Sequence, residues 1–121
     1  MLDGWIMKAK TDFVTNSSST AFVITNMSDK DLDLVAFVKE NPQLIEDFLQ
    51  TYHWFKEDNR YTQAGLIQSA EQNNEKFKAG DHKYCIFGDE SGTVIGNVFD
   101  YILRDGGSSK NFQWRFSEYL R

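Results

Sequence analysis

With Cys85 as its only cysteine, the chain of 121 residues cannot form an intramolecular disulfide, which fits a reducing compartment. No apolar run approaches the length of about eighteen residues that a membrane-spanning helix needs, and mean hydropathy is −0.52. The residues from Met1 to Lys10 lack the long apolar segment of a signal peptide, so the expected location is the cytoplasm and no membrane contact is expected. A basic excess is missing too. The net charge of −5 disfavours non-specific DNA or RNA binding, because phosphate contacts need a basic surface. Histidine is confined to His53 and His82, and there is neither an H-E-x-x-H nor a C-x-x-C arrangement for zinc, so no metal or cofactor is expected.

What is present in quantity is aromatic. Ten Phe, five Tyr and three Trp, within an apolar fraction of 40%, can build one core, and a single domain over 1–121 is expected.

The most unusual stretch runs from Asp12 to Thr25. Phe13-Val14 and Ala21-Phe22-Val23-Ile24 are suited to pairing in a sheet. Between them Thr15, Asn16, Ser17, Ser18, Ser19 and Thr20 all carry hydrogen-bonding side chains. One reading is a self-satisfied turn, in which these side chains fold back on nearby backbone groups. A second is an anion site, with successive N–H groups and hydroxyls around a phosphate or carboxylate and with Arg104 or Arg115 supplying charge. Against it, the stretch has neither the glycines nor the lysine of a phosphate-cradling G-x-x-x-x-G-K-[ST] loop. A serine nucleophile would need a positioned base, and both histidines lie far away in sequence.

Phe13-Val14-Thr15-Asn16-Ser17-Ser18-Ser19-Thr20-Ala21-Phe22 resembles the opening F-V-[TS]-N-S-S-S-[ST]-[ST]-[FY] of uncharacterised proteins from bacteria, archaea and their phages. Ala21 stands where that pattern has a serine or threonine. The resemblance covers about a tenth of the chain and implies a prokaryotic or phage setting without an activity. It also implies that Met7 corresponds to the usual start, with 1–6 as an N-terminal extension.

The acidic excess is local. Residues 28–58 hold eight acids, Asp29, Asp31, Asp33, Glu40, Glu46, Asp47, Glu57 and Asp58, against Lys30, Lys39 and Lys56. The default is a solvated helix face, and the alternative is a surface that steers a basic partner, with Asp29, Asp31, Asp33, Glu46 and Asp47 as its candidate contacts.

Helical signals follow in order. Ser28 reads as an N-cap, with Asp29 and Asp31 in the first turn of a helix to about Glu40. Asn41-Pro42 then turns the chain into a second helix carrying Leu44, Ile45, Phe48, Leu49, Tyr52 and Phe55. Thr62 caps a third, with Leu66, Ile67, Ala70 and Phe77 on one face, Lys76 and Lys78 near its end and Gly80 beyond. His53 reads as a helix-end packing residue. Tyr84-Cys85-Ile86-Phe87 reads as a strand buried on both faces, with Cys85 a small core residue. Thr93-Val94-Ile95 could close a hairpin, but Val94–Arg104 reads as a helix, despite Gly96, because Ile95, Val98, Phe99, Ile102 and Leu103 recur at three and four residues. Asp89, Glu90 and Asp100 could offer oxygens to Mg²⁺, but acids in a turn before a helix more often cap and carry surface charge. Phe112, Trp114 and Phe116 alternate with polar residues as in a strand with one buried face.

The expected class is α+β: a small sheet of three to four strands with four helices, in the order β-β-α-α-α-β-α-β, the helices mainly covering one face. No catalytic set can be assembled from named residues. The expectation is a small non-catalytic interaction or accessory module with a protein partner. The alternative is a domain or enzyme holding a small phosphate-bearing or nucleotide-type ligand at 15–20.

Overall fold

A computed structural model of the chain describes residues 19–88 and 92–120. The strand expected at Phe13-Val14, the polar residues Thr15 to Ser18, and Asp89 and Glu90 lie outside the described residues.

The fold is α+β. A four-stranded antiparallel sheet has the order β4-β1-β6-β5, where β1 is Ser19–Asn26, β4 His82–Gly88, β5 Gly107–Ser108 and β6 Phe112–Leu120. Strand β1 lies between the strands nearest it in strength of pairing, so its alternate side chains Thr20, Phe22, Ile24 and Asn26 are fully buried on the helix side. Across it, Cys85 and Phe87 of β4 and Phe112 and Trp114 of β6 are buried on the same side. Four helices, α1 (Leu34–Glu40), α2 (Gln43–Thr51), α3 (Gln63–Asn73) and α4 (Val94–Ile102), close over that face. A two-stranded ribbon joins β2 (Leu32–Asp33) to β3 (Lys76–Phe77). At the centre, the Phe37 ring meets Phe99, Phe112 and Trp114 edge-on at centroid distances of 5.5, 5.1 and 5.2 Å.

Several expected boundaries move, each for a local reason. Ser19 and Thr20 belong to β1 rather than to a loop. The first helix begins at Leu34, not after Ser28, because Asp33 takes the cap, its carboxylate accepting from the Ala36 N–H at 2.8 Å. The residues before it are instead gathered on the buried amide of Asn26. Asn26 donates to the Lys30 and Phe77 carbonyls at 2.7 and 3.1 Å and accepts from the Ser28 N–H and hydroxyl at 2.9 and 2.7 Å. All four hydrogen-bonding positions of the carboxamide are thereby used.

Asn41 and Pro42 do turn the chain, but the Asn41 amide caps backwards, donating to the Phe37 carbonyl at 2.9 Å, and Pro42 stands at the start of α2 with φ −65°. Helix α2 stops at Thr51, and a 3-10 helix, His53–Glu57, continues the chain. Its tighter winding still returns Phe55 to Phe48, at 5.2 Å. His53 is exposed there, its ring edge against Trp54 at 5.4 Å, and so is not the packing residue expected.

Thr62 caps α3 as expected, accepting from Gly65 N–H at 3.0 Å. Gly65 has to be glycine, because a Cβ there would lie 1.9 Å from the Arg60 carbonyl oxygen. That helix ends at Asn74, which adopts φ 60°, so Phe77 reaches the core from β3 and not from a helix face. Lys78 and Gly80 belong to the turn into β4. Strand β4 is buried on one face only: Cys85 and Phe87 point inward, while Tyr84 and Ile86 are 48% and 52% exposed. It is an edge strand with helices on one side, which is why its four apolar residues do not share one environment. Helix α4, capped by Thr93, starts at Val94 as expected but ends at Ile102 rather than Arg104, and strand β6 lies where the sequence pattern places it.

Candidate functional site

Two groupings of chemically able side chains emerge, one on each side of the sheet. The first brings together Thr20 and Arg104. The Thr20 hydroxyl donates to the Asp100 carboxylate at 2.5 Å, and Arg104 Nη2 donates to the same oxygen at 3.1 Å while Arg104 Nε bonds the Asp100 carbonyl at 2.7 Å. Arg104 Nη2 also lies 3.5 Å from Thr20 Oγ1. The guanidinium sits between the rings of Tyr101 and Tyr119, at 4.6 and 5.0 Å. A bulge makes this possible. Ala21 pairs with Glu118 but Phe22 with Phe116, so Ser117 is an extra residue in β6 and Tyr119 is brought round to the helix side, opposite Thr20.

Thr20 and Asp100 are fully buried, and the Arg104 charge is matched by Asp100. The cluster therefore fastens α4 to the centre of the sheet and presents no reachable nucleophile. Of the expected anion-binding set, the described part is Ser19, Thr20, Arg104 and Arg115. Only Thr20 and Arg104 meet, and they meet over a carboxylate. Asp100, considered for Mg²⁺ with Asp89 and Glu90, is turned to these partners, and the other two lie outside the described residues.

Arg115 is on the opposite side, the sheet face that no described helix covers, and the pairing register gives that face a lattice. His82, Thr25 and Gln113 form one row across β4, β1 and β6. Tyr84, Val23 and Arg115 form the next, and Ile86, Ala21 and Glu118 the third. Tyr84 reaches over β1 to donate its hydroxyl to Glu118 at 2.7 Å, and that carboxylate raises the phenol's pKa above its ordinary value. The His82 ring nitrogen Nδ1 is 2.8 Å from the Thr25 hydroxyl. A groove of about 340 Å³ lies among Val23, Thr25, His82, Gln113 and Arg115.

The acidic candidates are divided. Asp31 accepts from the Ala79 N–H at 3.0 Å and Asp33 caps α1, so both serve the fold. Asp29 is exposed in the turn after β1, and Glu46 and Asp47 are exposed on α2. They do not lie on one continuous helix. Glu40 and Asp58 are also engaged locally. Glu40 accepts from the Ser109 hydroxyl, the Asn111 N–H at 2.8 Å and the Asn111 amide at 2.7 Å, and Asp58 pairs with Arg60 at 2.7 Å. Partial burial raises the Glu40 pKa, but Ser109, Asn111 and the nearby Lys110 outweigh it and hold the carboxyl below its ordinary value. Cys85 is 2% exposed, and burial, helped by Glu75, pushes its thiol up to about 12.

The sequence reading missed the Tyr84 and Ile86 surface. The signal was only the edge position of β4, which periodicity does not carry when all four residues of Tyr84-Cys85-Ile86-Phe87 are apolar. No protein-family model, curated protein or solved structure matches this chain.

Proposed function

We propose that the chain is a small, non-catalytic interaction or accessory module, and that the helix-free sheet face is its docking surface. The observation that carries this is the pair Tyr84 and Ile86, about half exposed on an edge strand and continuous with Val23, where no described helix covers them. Large apolar side chains gathered on a bare sheet face favour burial against a partner. The prokaryotic or phage setting of the module rests on the resemblance of residues 13–22 alone.

The test is affinity capture with the wild-type chain, with Tyr84→Ser/Ile86→Ser, and with Glu46→Gln/Asp47→Asn, each checked for folding by circular dichroism. The expected result is a partner retained by the acid-neutralised chain and lost by the sheet-face variant. Recovery of the same proteins with wild type and the Tyr84→Ser/Ile86→Ser chain would overturn the proposal.

A further inference from the structure

The polar end of the helix-free face differs in charge from the rest of the protein. Residues 28–58, which hold the acidic excess, form the turn after β1, the β2 strand, helices α1 and α2 and the 3-10 helix, and contribute nothing to the four-stranded sheet. On the bare face itself Glu118 is engaged by the Tyr84 hydroxyl. Arg115 is exposed, with no acid within salt-bridge distance among the described residues. Around it the groove offers further hydrogen-bonding groups, the Gln113 amide and the exposed His82 ring, whose Nδ1 lies 2.8 Å from the Thr25 hydroxyl. Val23 lines the groove, and Tyr84, its partner on β4, stands beside it as an apolar shelf.

This charge arrangement selects its ligand by number. A nucleic acid or a polyphosphate needs several cations, and among the described residues this face supplies a single guanidinium. One guanidinium with its planar fork of donors suits one carboxylate, which it can bind through two parallel hydrogen bonds. An apolar shelf beside it suits an adjoining side chain. We infer that this face binds an extended peptide segment of a partner protein, seating one acidic side chain on Arg115 between Thr25, His82 and Gln113 and an apolar neighbour on Val23 and the Tyr84 ring. The inference rests on the docking reading above and adds the chemistry of the partner.

The experiment is a titration of the ¹⁵N-labelled full chain, followed by amide NMR shifts. The probes are a seven-residue peptide alternating valine and threonine about a central aspartate, the same peptide with central asparagine, and inorganic phosphate. The aspartate peptide should shift Val23, Thr25, Gln113 and Arg115 saturably. The asparagine peptide should bind about tenfold or more weakly, the scale of one charge-assisted hydrogen bond. Arg115→Gln, at an exposed position, should abolish that difference, and Gln113→Ala should reduce it. Equal binding of the two peptides to the wild type, no shifts with either, or phosphate binding as tightly as the aspartate peptide would overturn the inference. A partner captured by the wild type, lost by Tyr84→Ser/Ile86→Ser and kept by Arg115→Gln would overturn the carboxylate site while leaving the docking face standing. A partner kept by both variants would remove the docking face itself.

Discussion

Replacing Asn26 by alanine deletes a carboxamide that is fully buried and makes four hydrogen bonds joining the end of β1 to the following turn and to β3. The losses are unequal. The Lys30 carbonyl keeps a bond from the Ser28 hydroxyl at 3.1 Å, and Ser28 is partly exposed, so these groups can be re-satisfied by each other or by water. The Phe77 carbonyl lies buried in the β2–β3 pair opposite Leu32, and the Asn26 amide is its partner from the β1 side. Each of the four bonds lost costs about 0.5–1.5 kcal/mol where water does not compensate, so about 3 kcal/mol in all is expected for Asn26→Ala. Against a total stability of about 5–15 kcal/mol for a domain, that is a large share. The assay is urea unfolding followed by far-UV circular dichroism. The midpoint should fall with the slope unchanged, because the surface exposed on unfolding is the same. Asn26→Asp is the control of shape: it keeps the volume but turns an oxygen on the two carbonyls that now accept from the amide, and should destabilise at neutral pH at least as much as alanine. A loss below about 0.5 kcal/mol for Asn26→Ala, or an Asn26→Asp chain as stable as wild type, would refute the argument that the paired amide holds this corner.

Three further outcomes are expected. Cys85, with its thiol pushed up to about 12 and buried, should resist a disulfide reagent in the native protein and react fully in guanidinium; fast native reaction would contradict its burial. Because the folded-state pKa of Glu40 is lowered, the stability it contributes is present above its unfolded value and lost as pH falls through the folded one. Glu40→Gln should lower the urea midpoint at neutral pH and flatten the fall between about pH 6 and pH 3, and an unchanged acid profile would refute this. Arg104→Met should cost about 2–3 kcal/mol in urea unfolding, less than a fully enclosed pair because Arg104 is partly exposed, and a loss below about 1 kcal/mol would show that Thr20 suffices for Asp100.

The fold class was legible because its signals are local and redundant. Leu44, Ile45 and Phe48 repeat at helical spacing in α2, Thr62 caps the helix that follows it, Ile95, Val98 and Phe99 repeat in α4, and Phe112 and Trp114 alternate with polar residues in β6. What was not legible depends on partners distant in sequence. Ser28 with Asp29 and Asp31 looks like a helix start until Asn26, four residues before Lys30, takes up the polar groups and β3 arrives to pair with Leu32 and Asp33. Phe77 fits a helical face by spacing, yet pairing with Leu32 draws it into a strand, since tertiary pairing overrides a weak local preference.

The candidate site was harder to see because its two halves turn on strand order. Arg104 and Arg115 are equivalent by composition, both cations in a mildly basic tail beside aromatic residues. Once β6 lies against β1, the register assigns Arg115 to the face opposite Phe22 and α4 delivers Arg104 to the face beneath Thr20. A single extra residue at Ser117 then decides that Tyr119 stacks on the Arg104 guanidinium rather than standing on the open face beside Arg115. The consequence is a division of labour between two arginines. One is neutralised by Asp100 and holds α4 to the sheet, which leaves the other, among the described residues, as the cation that the open face can offer to a partner.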